Sequence, residues 1–190
     1  MVDTDTMMNE MGGAFMVCWL AGGVGSLEGA LVLAAAWMAI GGAHILPAIT
    51  WGHIMTGDLA DQDSWMDNGS RLLAQVIGAI LAVVLMTAGE SSPVDAAAMW
   101  EMDDMWGPLT AIAAGALMWT VYSRCDAWVT AVAIMAMVGA EAMGVSDASG
   151  MASQLMGDGG DVVAMASHWI VNGALAGVGA MASVKIAEMA

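Results

Sequence analysis

Six apolar runs alternate with hydrophilic segments along this chain of 190 residues. Most of the runs are 15 to 18 residues long, which is the short end of what a helix needs to cross a bilayer. The first two runs abut with almost no loop near Gly25 and Ser26, whereas the others are clearly separated. The pattern predicts six short transmembrane helices, over residues 11–25, 27–41, 72–89, 109–123, 127–143 and 162–184.

Two further segments are neither full spans nor simple loops. The first is GGAHILPAITWGHIMTG, residues 41–57, in which Pro47 suits the first turn of a helix. A helix of about ten residues that begins there is too short to cross a bilayer alone. The second is GVSDASGMASQLMGDGG, residues 144–160, where Asp147 or Ser149 is the expected N-cap of another short helix.

The order span, span, short helix, span therefore occurs twice. With three spans in each half, the two halves must lie in opposite orientations in the membrane. The short helices would then meet tip to tip near the midplane, around Pro47 and Gly150. We predict one membrane domain over residues 1–190, with a first repeat over about 8–90 and a second over about 107–188.

The composition agrees with a membrane protein and excludes several other classes. Hydrophobic residues make up 59% of the chain and charged residues only 12%, about half the share in globular proteins. A soluble domain of this size could not bury so much apolar surface. The net charge is −16 with three basic residues, so no basic patch exists for nucleic acid. We find no catalytic set, metal-spaced motif or cofactor-binding motif, and we expect neither an enzyme nor a cofactor.

Three stretches resemble the aquaporin (major intrinsic protein) family. GGAHILPAITWG, residues 41–52, is similar to the family's first signature loop, SGAHxNPAVTxG. AQVIGAILA, residues 74–82, resembles its third span, and the stretch from Glu10 to Phe15 resembles its opening EFxGTF. Residues 169–177 resemble its WVGPxxGA pattern more weakly, with Asn172 and Ala174 in place of the usual residues.

The resemblance implies a fold, an assembly and an orientation. The fold is an all-α, aquaporin-like bundle of six transmembrane helices and two re-entrant half-helices, related as an inverted repeat. The family forms homotetramers with one pore in each protomer, and both termini are cytoplasmic. On that plan all three basic residues face the cytoplasm, as the positive-inside rule requires: Arg71, Arg124 and Lys185. We expect an integral membrane protein of the plasma membrane, with membrane lipid around it.

The chain departs from the family at the positions that contact the solute. Leu46 replaces the Asn of the first Asn-Pro-Ala motif, and Ser149-Gly150-Met151 stands where the second is expected. Ala152 and Met137 occupy the positions of the family's filter Arg and His. The resemblance thus predicts that the pore is lined by His44, Leu46, Pro47, Ala48, Met137, Ser149, Gly150 and Ala152. It also predicts that Glu10 braces the re-entrant loop, while the fourth-span counterpart of Glu10 is Ala114 or Gly115.

These replacements remove hydrogen-bond donors and the narrow cationic filter. The backbone carbonyls of residues 42–45 are still expected to accept hydrogen bonds from a solute. Leu46 raises the barrier for water by roughly one lost hydrogen bond, about 1 kcal/mol or more. A strict water channel is therefore not expected. Two outcomes remain open, a wider and less polar path or a closed pore kept for structural reasons.

The sequence leads to three functional hypotheses. The first is an aquaporin-like channel for passive permeation of water or a small uncharged solute. The alternative is a non-conducting structural or accessory subunit of a membrane complex. The third is Cu(I) binding by the thioethers of Met99, Met102 and Met105, spaced by three residues. Near them, Trp100 and Trp106 predict an interfacial amphipathic helix.

Two other histidines are expected to be interfacial side chains. His53 and His168 fall near the ends of predicted helices, and neither has a second ligand-type residue at metal-binding spacing. We therefore do not assign either histidine to a site.

Overall fold

The fold is all-α. The computed structural model describes residues 3–94, 98–103, 105–143 and 147–189. Within these ranges it contains eight helices, and the only β-structure is an isolated bridge between Pro93 and Asp158. The helices are α1 (Thr4–Ala21), α2 (Leu27–Ala39), α3 (Pro47–Thr56), α4 (Gln62–Thr87), α5 (Trp106–Arg124), α6 (Ala127–Gly139), α7 (Ala148–Met156) and α8 (Val162–Met189).

Capping residues set where these helices begin and end. A side-chain oxygen of the N-cap residue accepts a backbone N–H from two or three residues ahead at Asp3, Ser26, Asp61 and Asp147. α1 ends at Gly22, which adopts a φ of 68° and donates its N–H to the Cys18 carbonyl. Of the two N-caps considered for the second short helix, Asp147 is therefore the one used.

Helix boundaries differ from the apolar runs where polar residues continue a helix. α4 begins at Gln62, ten residues before the predicted run, because Asp61 caps it and its first turns are polar and exposed. The hydrophilic residues between the apolar run at 27–41 and the one at 72–89 thus include the first ten residues of α4, which the apolar run alone does not predict as helix. α6 ends at Gly139, four residues early, where Glu141 adopts a left-handed φ of 55°.

The helices pack in a pattern with two-fold pseudosymmetry. α1 packs on α4 and α5 packs on α8, while α2 packs on α6. α3 packs mainly on α8, and α7 packs mainly on α4. If each of the helices α1 to α4 is exchanged with its counterpart among α5 to α8, every packed pair becomes another packed pair. The pair α1 and α4 becomes α5 and α8, the pair α3 and α8 becomes α7 and α4, and the pair α2 and α6 is unchanged.

Glycines permit the two main helix pairs to approach closely. A Cβ atom at Gly78 of α4 would overlap the Met11 carbonyl oxygen of α1. A Cβ atom at Gly179 of α8 would overlap the Ile112 carbonyl oxygen of α5. Since the obstacle is backbone in both cases, only glycine fits at these two positions.

All three basic residues lie at one end of the bundle, here called the basic end. Arg71 Nη1 donates to the Gly42 carbonyl at 3.1 Å, and Gly42 lines a cavity together with Cys125. Cys125 follows Arg124, which itself lines a pocket with residues of α8 on either side of Lys185. The last turns of α5 and α8 therefore lie at the same end of the bundle as the start of the apolar part of α4.

Corresponding helices run in opposite directions. α1 and α4 start at the basic end, since Glu10 of α1 bonds to Arg71 of α4, whereas α5 and α8 end there. α2 ends and α6 begins at that end, because both line the cavity that contains Gly42. α3 leads directly into α4 at the basic end, and α7 leads into α8 at the opposite end. The short helices thus end at opposite ends of the bundle.

The two short helices have largely different neighbours. α3 packs on α4, α5 and α8, whereas α7 packs on α1, α4 and α8, and the two are not a closely packed pair among the described residues. Pro47 is buried, while Gly150 is exposed and has no atom within 4 Å of an added Cβ. Contact between the two tips, around Pro47 and Gly150, stays a prediction.

Two of the described helices, α4 and α8, are long and apolar enough to cross a membrane. Only 33% of the most apolar 18-residue stretch of α4 is buried, and only 28% of that of α8, whereas the core helix of a soluble protein is mostly buried. α2 and α6 are apolar but have 13 residues each, a length of about 20 Å against a bilayer core of about 30 Å.

Candidate functional site

A buried carboxylate holds the loop that precedes α3. Glu10 is completely buried and accepts hydrogen bonds from the backbone N–H groups of His44 at 2.7 Å and Ile45 at 2.6 Å. Two side chains of α4 also donate to it, Arg71 Nη1 at 2.6 Å and Gln75 Nε2 at 2.7 Å. A carboxylate accepts about four hydrogen bonds, so its capacity is filled. These bonds place Glu10 in the bracing position that the resemblance predicts.

The loop backbone adopts an unusual conformation to reach this carboxylate. Ile45 has a φ of 66°, in the left-handed region that β-branched residues rarely adopt. In this conformation two successive N–H groups converge on one anion. The Ile45 side chain packs against Gly13, where a Cβ atom would lie 2.5 Å from Cγ1 of Ile45. Charge-assisted hydrogen bonds offset a backbone strain of about 1–3 kcal/mol.

A polar network extends from the carboxylate to the first turn of α3. Gln75 Nε2 also donates to Thr50 Oγ1 at 3.0 Å, and Thr50 Oγ1 lies 3.1 Å from His44 Nδ1. Because Glu10 and Thr50 both accept from this amide, its nitrogen must face them. Gln75 Oε1 is then buried without a hydrogen-bond partner among the described residues. The loop and the start of α3 are thus fixed as one unit.

Protein groups already occupy two of the loop carbonyls that were expected to face a solute. Arg71 Nη1 donates to the Gly42 carbonyl, and Trp37 Nε1 donates to the His44 carbonyl, both at 3.1 Å. Each of these two carbonyls therefore has one of its two lone pairs engaged before any solute arrives. The row of acceptors is weaker than the sequence predicts.

The predicted pore residues of the first half lie in an apolar core. Leu46 is 1% exposed and Ala48 is completely buried, in a cluster with Leu33 of α2 and Ile134 of α6. Pro47 and His44 are buried beside them. Met137 is partly buried and packs against the same cluster. The structure therefore brings Leu46, Ala48 and Met137 together, but around packed side chains.

The predicted pore residues of the second half are divided between a cavity and a separate core. Ser149 is half-buried and Gly150 is exposed, and both line a cavity. Ala152 is completely buried in a cluster with Cys18 and Ala79, away from the cluster around Leu46. Its side chain packs between helices, because the first turn of α7 faces α1 and α4.

Asp147 ties the start of α7 to the loop between α1 and α2. Its Oδ1 accepts the Ser149 N–H at 2.8 Å and also bonds to the Ser149 hydroxyl. Its Oδ2 accepts the Val24 N–H at 2.8 Å. A Cβ atom at Gly23 would lie 2.7 Å from Ser149 Oγ, so this approach also requires glycine. The sequence predicts Asp147 only as a helix cap, because nothing in it indicates a bond across 123 residues.

His53 packs against other aromatic rings of the protein, and its position at the membrane interface stays a prediction. Its ring stacks on His44 with centroids 4.0 Å apart and planes within 3°. Trp119 and Tyr122 contact it edge-on, at centroid distances of 4.9 and 5.8 Å. α3 packs on α5, so this face of the short helix is turned inward. His168 is half-buried, with Nε2 3.0 Å from the Ala98 carbonyl.

Two cavities lie at opposite ends of the antiparallel pair α2 and α6. The first, called the Trp37 cavity, has a volume of about 360 Å³ and lies at the basic end, lined by Trp37, Ile40, Gly42, Ala43, Tyr122, Cys125, Ala127 and Thr130. The second, called the Gly150 cavity, has a volume of about 330 Å³, and its lining includes Gly23, Gly25, Val138, Asp147, Ser149, Gly150 and Gln154.

Buried apolar side chains fill the space along α2 and α6 between these cavities. The helices are 13 residues long, which places the cavities roughly 20 Å apart. Leu33 and Ile134, from the middle of the two helices, are completely buried together with Leu46 and Ile45 of the loop. Among the described residues, apolar side chains thus occupy the space between the two cavities.

The methionine segment is not the helix that was predicted. Residues 98–103 are not helical, and Trp106 is the first residue of α5. Spacing by three residues therefore does not align the thioethers of this segment on one helical face. All three side chains are more than half exposed: Met99, Met102 and Met105. Copper binding stays a prediction without a preformed site.

Sequence reasoning missed three residues that complete the site. The sequence analysis assigns no role to Trp37 or Thr50, although each bonds within the loop network. Gln75 lies in the stretch that resembles the third span, but no role was given to its amide. An amide inside an apolar run was the available signal, because a polar group there requires partners.

No protein-family model matches this chain, and no curated protein is significantly similar to it. The function must therefore be inferred from the chemistry of the two cavities and of the core between them.

Proposed function

We propose that this chain is an aquaporin-like integral membrane protein that permits passive permeation of a small uncharged solute. In this proposal α1, α2, α4, α5, α6 and α8 are the six spans, and α3 and α7 are re-entrant half-helices. Opposite chain directions in corresponding helices, and half-helices that end at opposite ends of the bundle, support it. From the family resemblance we also infer a homotetramer in which each protomer has its own permeation path.

The outer surface supports insertion in lipid. Four large apolar side chains of α4 recur every fourth residue and are 38% to 61% exposed: Leu73, Ile77, Leu81 and Leu85. In water such a stripe favours aggregation, whereas lipid solvates it. The basic end fits the positive-inside rule, which puts that end and both termini in the cytoplasm of a cell whose plasma membrane holds the protein.

The single observation that carries the permeation proposal is the pair of cavities at opposite ends of α2 and α6, with an apolar core between them. An ion would lose its hydration in that core without compensation, so ions are excluded. A weakly hydrated neutral molecule loses less hydration free energy when it enters the same core. The absence of donors at Leu46 and the occupied carbonyls make water a poor permeant.

The alternative function is a non-conducting structural or accessory subunit. The burial of Leu46, at 1% exposure, favours it, because the side chain is packed and does not border an open path. The tight network around Glu10 would then serve only to hold the fold.

Flux into proteoliposomes separates the two functions. Stopped-flow scattering would measure water, glycerol, urea and ammonia uptake for the wild type and for Leu46→Asn. We expect flux above bare lipid for at least one neutral solute, and a roughly fivefold increase in the variant, since one added hydrogen bond lowers the barrier by about 1 kcal/mol. Leu59→Asn, in the exposed turn before α4, is the matched control and should change nothing. Flux equal to bare lipid for both proteins would exclude a channel.

A further inference from the structure

We propose that a groove between the last turns of α5 and α8 binds one anionic phospholipid, with the lipid phosphate on Arg124 and an acyl chain on the apolar wall beside it. This inference rests on the membrane insertion in the proposed function and is independent of permeation, so it holds for a channel and for a non-conducting subunit alike. The groove, here called the Arg124 groove, is defined by its lining residues: Ala116, Leu117, Thr120, Arg124, Ser183, Ile186 and Ala187.

The Arg124 groove lies at the basic end, where both of its helices finish. It has a volume of about 340 Å³. A second cavity of about 290 Å³ continues it and shares four of its lining residues, Thr120, Arg124, Ser183 and Ala187. Arg124 is the last residue of α5. Because a spanning helix ends near the boundary between membrane and water, its guanidinium is expected at the depth of the lipid headgroups.

The wall of the groove is polar at the end of α5 and apolar further along the helix. Leu117 precedes Arg124 by seven residues, which places both side chains on one face of α5, about 10 Å apart along its axis. Leu117 is 60% exposed, and Ile186 of α8 is 61% exposed. A charged head above an apolar wall is the order of groups in a phospholipid. The groove therefore matches a phosphate and the first carbons of an acyl chain.

Arg124 is the basic residue whose charge the protein leaves uncompensated. Arg71 is paired with Glu10 at 2.6 Å, and Lys185 is paired with Glu188 at 2.9 Å. Within the described ranges, no carboxylate forms an ion pair with Arg124, whose side chain is exposed. A guanidinium presents its N–H donors in a fork that fits two oxygens of a phosphate. The chain has a net charge of −16, so this charge complementarity distinguishes the groove from most of the surface.

The two hydroxyl groups of the groove donate within their own helices. Thr120 Oγ1 donates to the Ala116 carbonyl and Ser183 Oγ donates to the Ala180 carbonyl, both at 2.7 Å. The side-chain donors that remain for a phosphate are therefore those of Arg124. This makes Arg124 the residue on which headgroup recognition depends.

The acidic groups near the groove do not line it. Among the described residues, its lining contains no carboxylate. Glu188 lines the adjoining cavity, where Lys185 compensates its charge. Asp126 lies two residues beyond Arg124, at the N-cap position of α6, and lines neither cavity. The ammonium group of a zwitterionic headgroup thus has no partner in the groove, which favours an anionic phospholipid.

The test compares two phospholipids with identical acyl chains. The protein would be reconstituted in liposomes of equal parts phosphatidylglycerol and phosphatidylcholine, and native mass spectrometry would count the lipids retained after mild detergent extraction. We expect the wild type to retain the anionic lipid roughly fivefold more often, which is the contribution of one basic residue near the membrane surface. Arg124→Gln should bring the ratio close to one. Arg124→Lys keeps the charge and should keep most of the preference.

Two further variants separate the headgroup from the chain. The double variant Lys185→Gln/Glu188→Gln removes the other exposed cation at this end without changing the net charge, and it should leave the ratio unchanged. Leu117→Asn should reduce the retention of both lipids and leave their ratio unchanged, because the acyl chains are identical. An excess of glycerol 3-phosphate, which carries the phosphate without the chains, should not displace the bound lipid.

The possible failures have different meanings. A lipid ratio that Arg124→Gln does not change would overturn this inference alone, since flux is measured separately. Displacement by glycerol 3-phosphate would identify a site for free phosphate esters instead of a lipid. A change of oligomeric mass in Arg124→Gln with an unmoved lipid ratio would assign the groove to a second copy of the chain, again overturning the lipid site. Failure of the wild type to float with liposomes would overturn membrane insertion, and the proposed function would fall together with this inference.

Discussion

The Glu10 carboxylate should be the most important polar group for stability, and Glu10→Gln tests this directly. The substitution keeps the size of the side chain and removes its charge. A glutamine amide nitrogen cannot accept hydrogen bonds, so two of the four donors around Glu10 lose their acceptor. One of the four is Arg71, whose side chain is only 20% exposed.

The magnitude follows from the burial of this ion pair. Removing one partner of a buried pair costs about 3–5 kcal/mol, because the remaining charge is left uncompensated. The loop would also lose the anion that holds Ile45 in its left-handed conformation. A membrane protein with a total stability of about 5–15 kcal/mol would be strongly destabilised.

Unfolding in mixed micelles, followed by circular dichroism during titration with dodecyl sulfate, would measure the loss. Glu188→Gln is the matched control: its ion pair with Lys185 is also short, at 2.9 Å, but both side chains are more than half exposed. That variant should lose less than about 1 kcal/mol. Arg71→Met in the Glu10→Gln background should recover part of the loss, since no charge is then left unpaired. Equal losses for the two glutamine variants would refute the reasoning.

Two further predictions use the same unfolding assay. Gly78→Ala should destabilise the protein by about 1–3 kcal/mol because its Cβ meets the α1 backbone, whereas Gly12→Ala, with open space around it, should stabilise it by about 0.5–1 kcal/mol. Asp147→Ala should cost about 1–2 kcal/mol through loss of the α7 cap, and Asp147→Asn should cost less. Limited proteolysis should cut the loop around Val24 faster in Asp147→Ala, and unchanged cleavage would contradict the tether.

Helix positions could be predicted from the sequence because they depend on local information. Pro47 marks the start of α3, and Asp147 is a good N-cap just before α7. The start of α4 could not be found from hydropathy, since most of its first ten residues are polar and six of the ten are exposed. Apolar runs show where a helix is in contact with lipid or core, which is a different property from where it begins.

The site could be predicted only where a single residue type implied its role. A glutamate next to an apolar run requires buried partners, and Glu10 has four. The bond from Trp37 to the loop carbonyl and the stacking of His53 depend on how α2, α3 and α5 pack together. Neither leaves a local pattern in the sequence.

The two halves share a packing pattern but hold their short helices by different means. In the first half, a carboxylate from the long helix α1 holds the loop before α3. The equivalent positions in α5 are Ala114 and Gly115, and Gly115 instead lets the α8 backbone approach at Ala176. The loop before α7 therefore depends on its own Asp147 and on a bond to the α1–α2 loop. It follows that Glu10 variants should disturb the start of α3 and the Trp37 cavity, and should leave α7 largely unchanged. Asp147 variants should disturb α7 and the Gly150 cavity, and should leave the start of α3 largely unchanged.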